Sequence, residues 1–342
     1  MTPHHFIGLM SGTSLDGVDG VLVAFDEDAN VHALRVVAHH SQPMPSSLRQ
    51  ELLALNQSGP DELHRAALAA NALVGVYADV VQALLHDSGC DARDVRAIGA
   101  HGQTVRHQPG LHDGVGYTCQ LNQPALLAEY CGIDVVADFR SRDVAAGGHG
   151  APLVPLFHHH LFGRDDETVA VLNIGGIANL SVLHDRADAD GSSALGFDCG
   201  PGNVLLDHWC QLHTGLAYDA NGAWAASGTV QPALLQQLLQ EPFFALPPPK
   251  STGRDLFHAS WLQKHLQSFA HLPAQDVQAT LTALTAQTCA HDVQRHAQAA
   301  RTLLVCGGGA LNGHLMAQLA HALPSVEVRS SESEGLPPLQ VE

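Results

Sequence analysis

The stretch FIGLMSGTSLDGVDGVLV, residues 6–23, decides how the rest of the chain is read. Apolar Phe6, Ile7 and Leu9 lead into Ser11, Gly12, Thr13 and Ser14. Leu15, Asp16, Gly17, Val18 and Asp19 then carry the chain into a second apolar run at 21–23. That is strand, tight polar turn, strand. The turn offers N–H groups of small residues, hydroxyls, and the carboxylates of Asp16 and Asp19. N–H groups and hydroxyls suit phosphate oxygens, while carboxylates hold their magnesium, usually through water. An ordinary hairpin uses the same residue types.

Two further glycine turns sharpen the reading. In NIGGIAN (173–179), Asn173, Gly175 and Gly176 close a strand expected over 168–174, and a second strand resumes over 179–183. In VCGGGALN (305–312), Gly307, Gly308 and Gly309 follow a strand at 301–306 and open a helix at 311–322. Glycines there allow backbone to approach a flat base or a sugar. No G-x-x-x-x-G-K-[ST] and no G-x-G-x-x-G with a downstream acid occurs, so neither a P-loop nor a dinucleotide fold is indicated. Three glycine turns at strand ends point together to a nucleotide site.

Around these turns the chain alternates strands and helices. Strands are expected at 31–39, 95–100 and 134–139, and helices at 46–55, 61–86, 204–214 and 277–299, with apolar residues at helical spacing. The small, flexible run at 145–152 is a candidate hinge. Two α/β halves facing a cleft, 1–140 and 141–342, are the expected architecture.

The catalytic candidate is Asp198, in GFDCGPGN (196–203). Pro and Gly constrain its backbone, and apolar neighbours limit its solvation, as a general base requires. Capping the helix at 204 is the competing role, but Asn203 is the better N-cap. Cys199 reads as a buried structural thiol. His101, Gln103 and Thr104, at a strand end, could bond sugar hydroxyls or merely satisfy a turn. Arg140, with Arg142 and Asp143, could meet a substrate carboxylate or form an ion pair between the halves. Residues 250–255 (KSTGRD) set two cations beside small residues, which suits a nucleotide or substrate anion; a solvated loop is the alternative.

Composition bounds the partners. The net charge is −18, with only 16 Lys plus Arg, which disfavours nucleic acid and anionic membrane. Hydrophobic residues make up 45% and charged ones 15%, so 342 residues suffice for about two domains with full cores. Seven cysteines, none in C-x-x-C, argue against a disulfide framework or a zinc ribbon. The 24 histidines, including 158–160, read as surface replacements for Lys or Arg rather than metal ligands. No opening signal segment and no apolar run near ~18 residues is evident, so a cytoplasmic protein is expected.

Taken in order, the motifs resemble one family. GLMSGTSLDGVD (8–19), HGQT (101–104), ADFRSRDVAAGGHGAPLVP (137–155), LNIGGIANLS (172–181), GFDCGPGN (196–203), DANGAWAASG (219–228), PKSTGRDLF (249–257) and VCGGGALN (305–312) are similar to the anhydro-N-acetylmuramic acid kinases, within the sugar kinase/Hsp70/actin superfamily. The resemblance implies a two-domain actin-like ATPase fold with a central cleft. It implies a cytoplasmic enzyme of cell-wall recycling that takes 1,6-anhydro-N-acetylmuramic acid, ATP and water to N-acetylmuramic acid 6-phosphate and ADP, with Mg2+ arriving on ATP rather than at a fixed protein site. The aspartate matching Asp198 would be the base, and the family's ATP loop matches 12–19. A homodimer is left open. Family members continue past the Gly-Leu-Pro-Pro element, whereas this sequence stops at Glu342, which matches a glutamate placed near the reacting sugar. The expectation is that its position, and activity, are exposed to that difference. A nucleotide-gated binding protein of the actin/Hsp70 type, or an inactive remnant of the kinase, are the alternatives. GFDCGPGN and the compact length favour the kinase.

Overall fold

The computed structural model describes residues 4–12, 15–25, 34–184, 194–253 and 256–341. The chain divides into two compact units, Met1–Gly150 and Ala151–Glu342; the sequence expectation had put the boundary after 140.

The first unit opens with β1 (His4–Ser11), β2 (Gly17–Phe25) and β3 (Leu34–Pro43), an antiparallel meander. Val18, Gly20, Leu22 and Ala24 of β2 are buried, the period-two pattern of a sheet with one covered face. Two helices follow, α1 (Ser46–Ala54) and α2 (Glu62–Ser88). β4 (Val95–Pro109) then returns parallel to β1, and β5 (Gly116–Leu121) pairs antiparallel with the far end of β4. After α3 (Pro124–Cys131), β6 (Val135–Ala137) lies parallel to β4, and α4 (Ser141–Ala145) ends the unit. One core joins Ile7, Leu9, Leu22, Leu73, Tyr77, Leu84 and Ile98 across the sheet and α2.

α2 is, by length and composition, apolar enough to cross a membrane, although polar residues interrupt it so that no continuous apolar run nears ~18 residues. Its apolar face, from Ala69 to Leu84, is instead buried against the sheet. Gly20 on β2 makes this contact close, because a Cβ there would strike Val80.

The second unit starts with α5 (Pro155–Phe162) and a second meander, β7 (Val169–Ile174), β8 (Ile177–Leu183) and β9 (Ala194–Pro201). Then come α6 (Val204–Thr214), α7 (Ala223–Ser227), α8 (Pro232–Leu238), α9 (Ala259–Leu266) and the long α10 (Ala274–His296). β10 (Thr302–Cys306) runs parallel to β7, and after α11 (Gly313–Ala322) the strand β11 (Glu327–Ser330) runs parallel to β10. Both sheets therefore share one plan. A three-stranded meander, β3-β2-β1 or β9-β8-β7, continues into two parallel strands, β4-β6 or β10-β11. This is an α/β architecture built twice, as expected of an actin-like ATPase fold.

Candidate active site

In the second unit the sheet register gathers the glycine turns. Cys306 pairs with Asn173, and Ile177 with Pro201, so the ends of β7, β9 and β10 lie at one edge. Ligands of α/β sheets bind at the carboxyl ends of such strands. There the turn at 175–176 accepts backbone N–H groups from the segment after β9. Gly202 and Val204 donate to Gly176 O at 2.9 and 3.1 Å, and Asn203 to Gly175 O at 2.8 Å. Gly307, at φ +76°, sits so close to β7 that a Cβ would run into Asn173 Oδ1 and lie 2.8 Å from Ile174 O. A Cβ on Gly309 would meet the Ile174 side chain. These glycines fit the loops to each other. Gly175 and Gly308 have room beside them, with nearest atoms at 3.7 and 3.5 Å.

Asn203 corrects one expectation. It occupies the N-cap position of α6, but its side chain makes no cap bond and donates from Nδ2 to Ile174 O at 3.1 Å. It joins the loops rather than capping the helix.

Asp198 lies on a strand, not in the turn before a helix that the sequence suggested. It is 8% exposed. Its N–H donates to Lys250 O at 3.0 Å, and its Oδ2 accepts the Thr252 N–H at 2.9 Å. The β8–β9 register shifts here, since Asn179 faces Asp198 while Ala178 faces Gly200, leaving Cys199 as the extra residue of a bulge. Bulges re-aim side chains next to functional sites. Directly opposed strand residues share a face, so Asn173, Asn179 and Asp198 form a polar row across the sheet. The Asn179 Oδ1 is buried without a hydrogen-bond partner. Thr285 of α10 holds the Gly-Pro-Gly turn, donating to Pro201 O and Gly202 O at 3.0 and 3.1 Å. Cys199 is fully buried, and burial first, then Cys289, pushes its thiol well above the ordinary range.

Lys250 is neither a nucleotide cation nor part of a solvated loop. Its ammonium is buried, 3.1 Å from Asp292 Oδ2, over the rings of Phe197 and Phe243. Arg254, Asp255, Thr13, Ser14 and Glu342 lie outside the described residues.

In the first unit, Leu15 N–H donates to Gly12 O at 3.2 Å, and Leu15 has φ +56° with its side chain buried. Gln103 Nε2 also donates to Gly12 O, at 3.1 Å. Ser11 and Tyr77 share a buried hydroxyl contact of 3.0 Å, and burial raises the phenol to about 12. Asp16 is exposed and accepts the Gly17 N–H at 3.1 Å. Asp19 accepts from Ser41 and lies 3.7 Å from His39 Nε2. The HGQT motif does not end its strand, because β4 continues to Pro109 with Gly102 at φ +78°. Thr104 accepts from Gln120 at 3.2 Å. His101 contacts Gly102 O through Nδ1 and accepts the Arg140 Nε–H at 2.9 Å through Nε2. Burial, with help from Arg140, lowers the imidazole to about 4. Arg140 also donates to Gly150 O at 2.6 Å, and Asp143 accepts the Gly150 N–H at 2.7 Å. The candidate hinge is thus tied to α4.

The histidine run departs from the surface reading at His158. This residue is fully buried, with Nδ1 2.9 Å from Ser181 Oγ, and burial lowers it to about 3.

Comparison with known proteins gives one consistent result. The sequence profile described as "Anhydro-N-acetylmuramic acid kinase" matches residues 4–342. Proteins of that name from Variovorax paradoxus (strain S110) and Albidiferax ferrireducens are 60% and 59% identical, over 98% of this chain and 89% and 90% of theirs. One from Bordetella petrii is 60% identical over 98% of this chain and 86% of its own. Among solved structures, the activator of 2-hydroxyisocaproyl-CoA dehydratase from Clostridium difficile with bound ADPNP aligns at TM-score 0.48 and 12% identity, covering 98% of this chain and 90% of its own. A ROK hexokinase from Thermus thermophilus aligns at 0.38 and 15%, covering 98% and 96%. Such distant likenesses carry no argument about the chemistry. The profile and the close relatives do, and this chain belongs to the anhydro-N-acetylmuramic acid kinase family.

Proposed function

We propose that this phosphotransferase uses ATP and water to convert 1,6-anhydro-N-acetylmuramic acid to N-acetylmuramic acid 6-phosphate and ADP, with Asp198 as the general base. Membership of the family supports the reaction. The observation that carries the mechanism is the clasp on Asp198, a carboxylate held at both backbone and side chain beside a strand bulge. Asp198 takes a proton from water, whose oxygen attacks the anomeric carbon. The C1–O6 bond breaks, O6 attacks the γ-phosphorus, and ADP leaves as the β,γ-bridging P–O bond breaks. The proton taken by the base returns to solvent. Phosphoryl transfer depends chiefly on positioning and electrostatics, and a fixed carboxylate supplies the first.

The turn at 12–19 is the part we assign to phosphate oxygens, and the turns at 173–176 and 307–309 to the nucleotide. Two observations fit this assignment: Gln103 and Leu15 both donate to Gly12 O, and Gly175 and Gly308 leave room beside their backbone. Mg2+ enters on ATP, and Asp16 and Asp19, both exposed, are the carboxylates of this turn assigned to meet it. Arg140, His101, Gln103 and Thr104 remain the proposed sugar contacts of the first unit. The cytoplasm is the proposed compartment, since ATP is available there and no disulfide joins any of the seven cysteines.

The test is ADP release from Mg-ATP with the anhydro sugar, with N-acetylmuramic acid, or with no sugar. Release is expected with the anhydro sugar. Equal release without any sugar would overturn the reading.

A further inference from the structure

We propose that Lys250 and Asp292 are positioning residues for Asp198, an ion pair that anchors the backbone clasp on the base. This rests on the assignment of Asp198 as the base.

Lys250 Nζ lies 3.1 and 3.4 Å from the two carboxylate oxygens of Asp292, and the two side chains are 2% and 4% exposed. Burying both ions carries a desolvation cost that packed apolar residues of similar volume avoid, often with equal or better stability. Stability alone therefore does not account for the pair. Its location does. Lys250 O receives the Asp198 N–H, and two residues on, the Thr252 N–H reaches Asp198 Oδ2. The ammonium also sits over the ring of Phe197, 5.6 Å from its centroid, and of Phe243, at 5.2 Å. Phe197 directly precedes the base. A continuous set of contacts thus runs from Asp292, on the buried helix α10, through Lys250 to both ends of Asp198.

Without the ion pair, the segment at 250–252 keeps its sequence but loses the anchor that fixes its distance from β9. The distance between the Thr252 amide and the Asp198 carboxylate is then no longer fixed. Misplacement of a reacting group by ~1 Å can cost ~100-fold in rate. Neither Lys250 nor Asp292 need touch substrate for this effect.

The test is a charge-free double variant, Lys250→Met with Asp292→Leu, assayed on the full chain. We expect a melting temperature and ATP affinity close to the parent's, the KM for the anhydro sugar within about threefold, and kcat lower by ~10–100-fold. Parental kcat in the double variant would overturn the proposal. A second arm places the same two changes, Lys250→Met with Asp292→Leu, on Asp198→Asn. Residues acting as one unit are non-additive, so the pair of changes should leave the residual turnover unaltered. An equal further loss would show that the ion pair acts elsewhere. If Asp198→Asn itself keeps parental turnover, the base assignment fails, and that result is separate from both. Should the double variant melt far below the parent, Thr252→Pro removes the clasping amide donor, with Thr252→Ala as the control for loss of the threonine side chain. Loss of kcat is expected in Thr252→Pro relative to that control, and unchanged kcat would again overturn the proposal.

Discussion

Asp198 is held by groups that are 54 and 52 positions away in sequence, Thr252 and Lys250. Asp198 stood out as a candidate base in the sequence, because an acid separated by one residue from Gly-Pro-Gly sits on constrained backbone. Its supports did not stand out as such. Lys250 and Asn179 stood in motifs the sequence marked for other roles, and Thr285 stood in none; only the fold brings the three to the site. We predict that Asp198→Asn lowers sugar-dependent turnover by at least ~10²–10⁴-fold, the worth of a general base, with ATP affinity unchanged. Steady-state ADP release and calorimetric ATP titration check both parts, and turnover within a few-fold of the parent would remove Asp198 from the mechanism. His158 gives a second prediction at this scale. The fold holds its imidazole at about 3 against an ordinary 6.5, so between those values the unfolded chain binds a proton that the folded chain refuses. Its contribution is complete above about pH 6.5 and is lost as pH falls toward 3, at ~1.4 kcal/mol per pH unit. His158→Gln should flatten the fall in stability between pH 6.5 and 4.5 in urea titrations. Parallel slopes for parent and variant would count against this account.

At the scale of elements, periodicity found the helices well. α6 spans the expected 204–214, and α2 lies within two residues of expectation at either end. Strands rich in glycine were harder to read. β9 carries Gly196 and Gly200, which look like loop residues, yet they serve close packing, Gly196 against Pro155 and Gly200 against Phe244. β4 was cut short in the same way at Gly102, where a bulge and a left-handed backbone let the strand continue. The glycine turns separate into two kinds, and this yields a paired prediction. Gly307→Ala combines a positive φ with a clash against β7, and such strain costs roughly 1–3 kcal/mol. Gly308→Ala meets only an ordinary contact at 3.5 Å from Asn203 Nδ2, so stability should stay within ~0.5 kcal/mol of the parent. If this turn takes the nucleotide, Gly308→Ala should nevertheless weaken ATP binding. Parental ATP affinity in that variant would remove Gly308 from the nucleotide site.

For the whole molecule, the repeated theme of strand, glycine turn and strand at Gly12 and Gly175 was visible in the sequence, and the two sheets bear it out as one plan built twice. The third strand of the second meander was not, since β9 hides among glycines. Each unit has its own apolar core, one around α2 and others around α10 and α9, so each can report separately on ligand. This gives the final prediction. The proposal assigns ATP contacts to a turn of the first unit, 12–19, and to two turns of the second, 173–176 and 307–309. A ligand that binds only the folded state at ~100 times its Kd adds ~2.7 kcal/mol. Amides that exchange through opening of the bound region should then slow by up to ~100-fold. Hydrogen exchange with and without Mg-ATP is expected to show new protection at all three turns, while α3 and β5, far from them in sequence and assigned no nucleotide role, change less. Protection confined to 173–176 and 307–309 would leave those turns as the nucleotide site and remove the turn at 12–19 from the phosphates. Protection at 12–19 alone would exclude the nucleotide role given to the glycines that fold against β7.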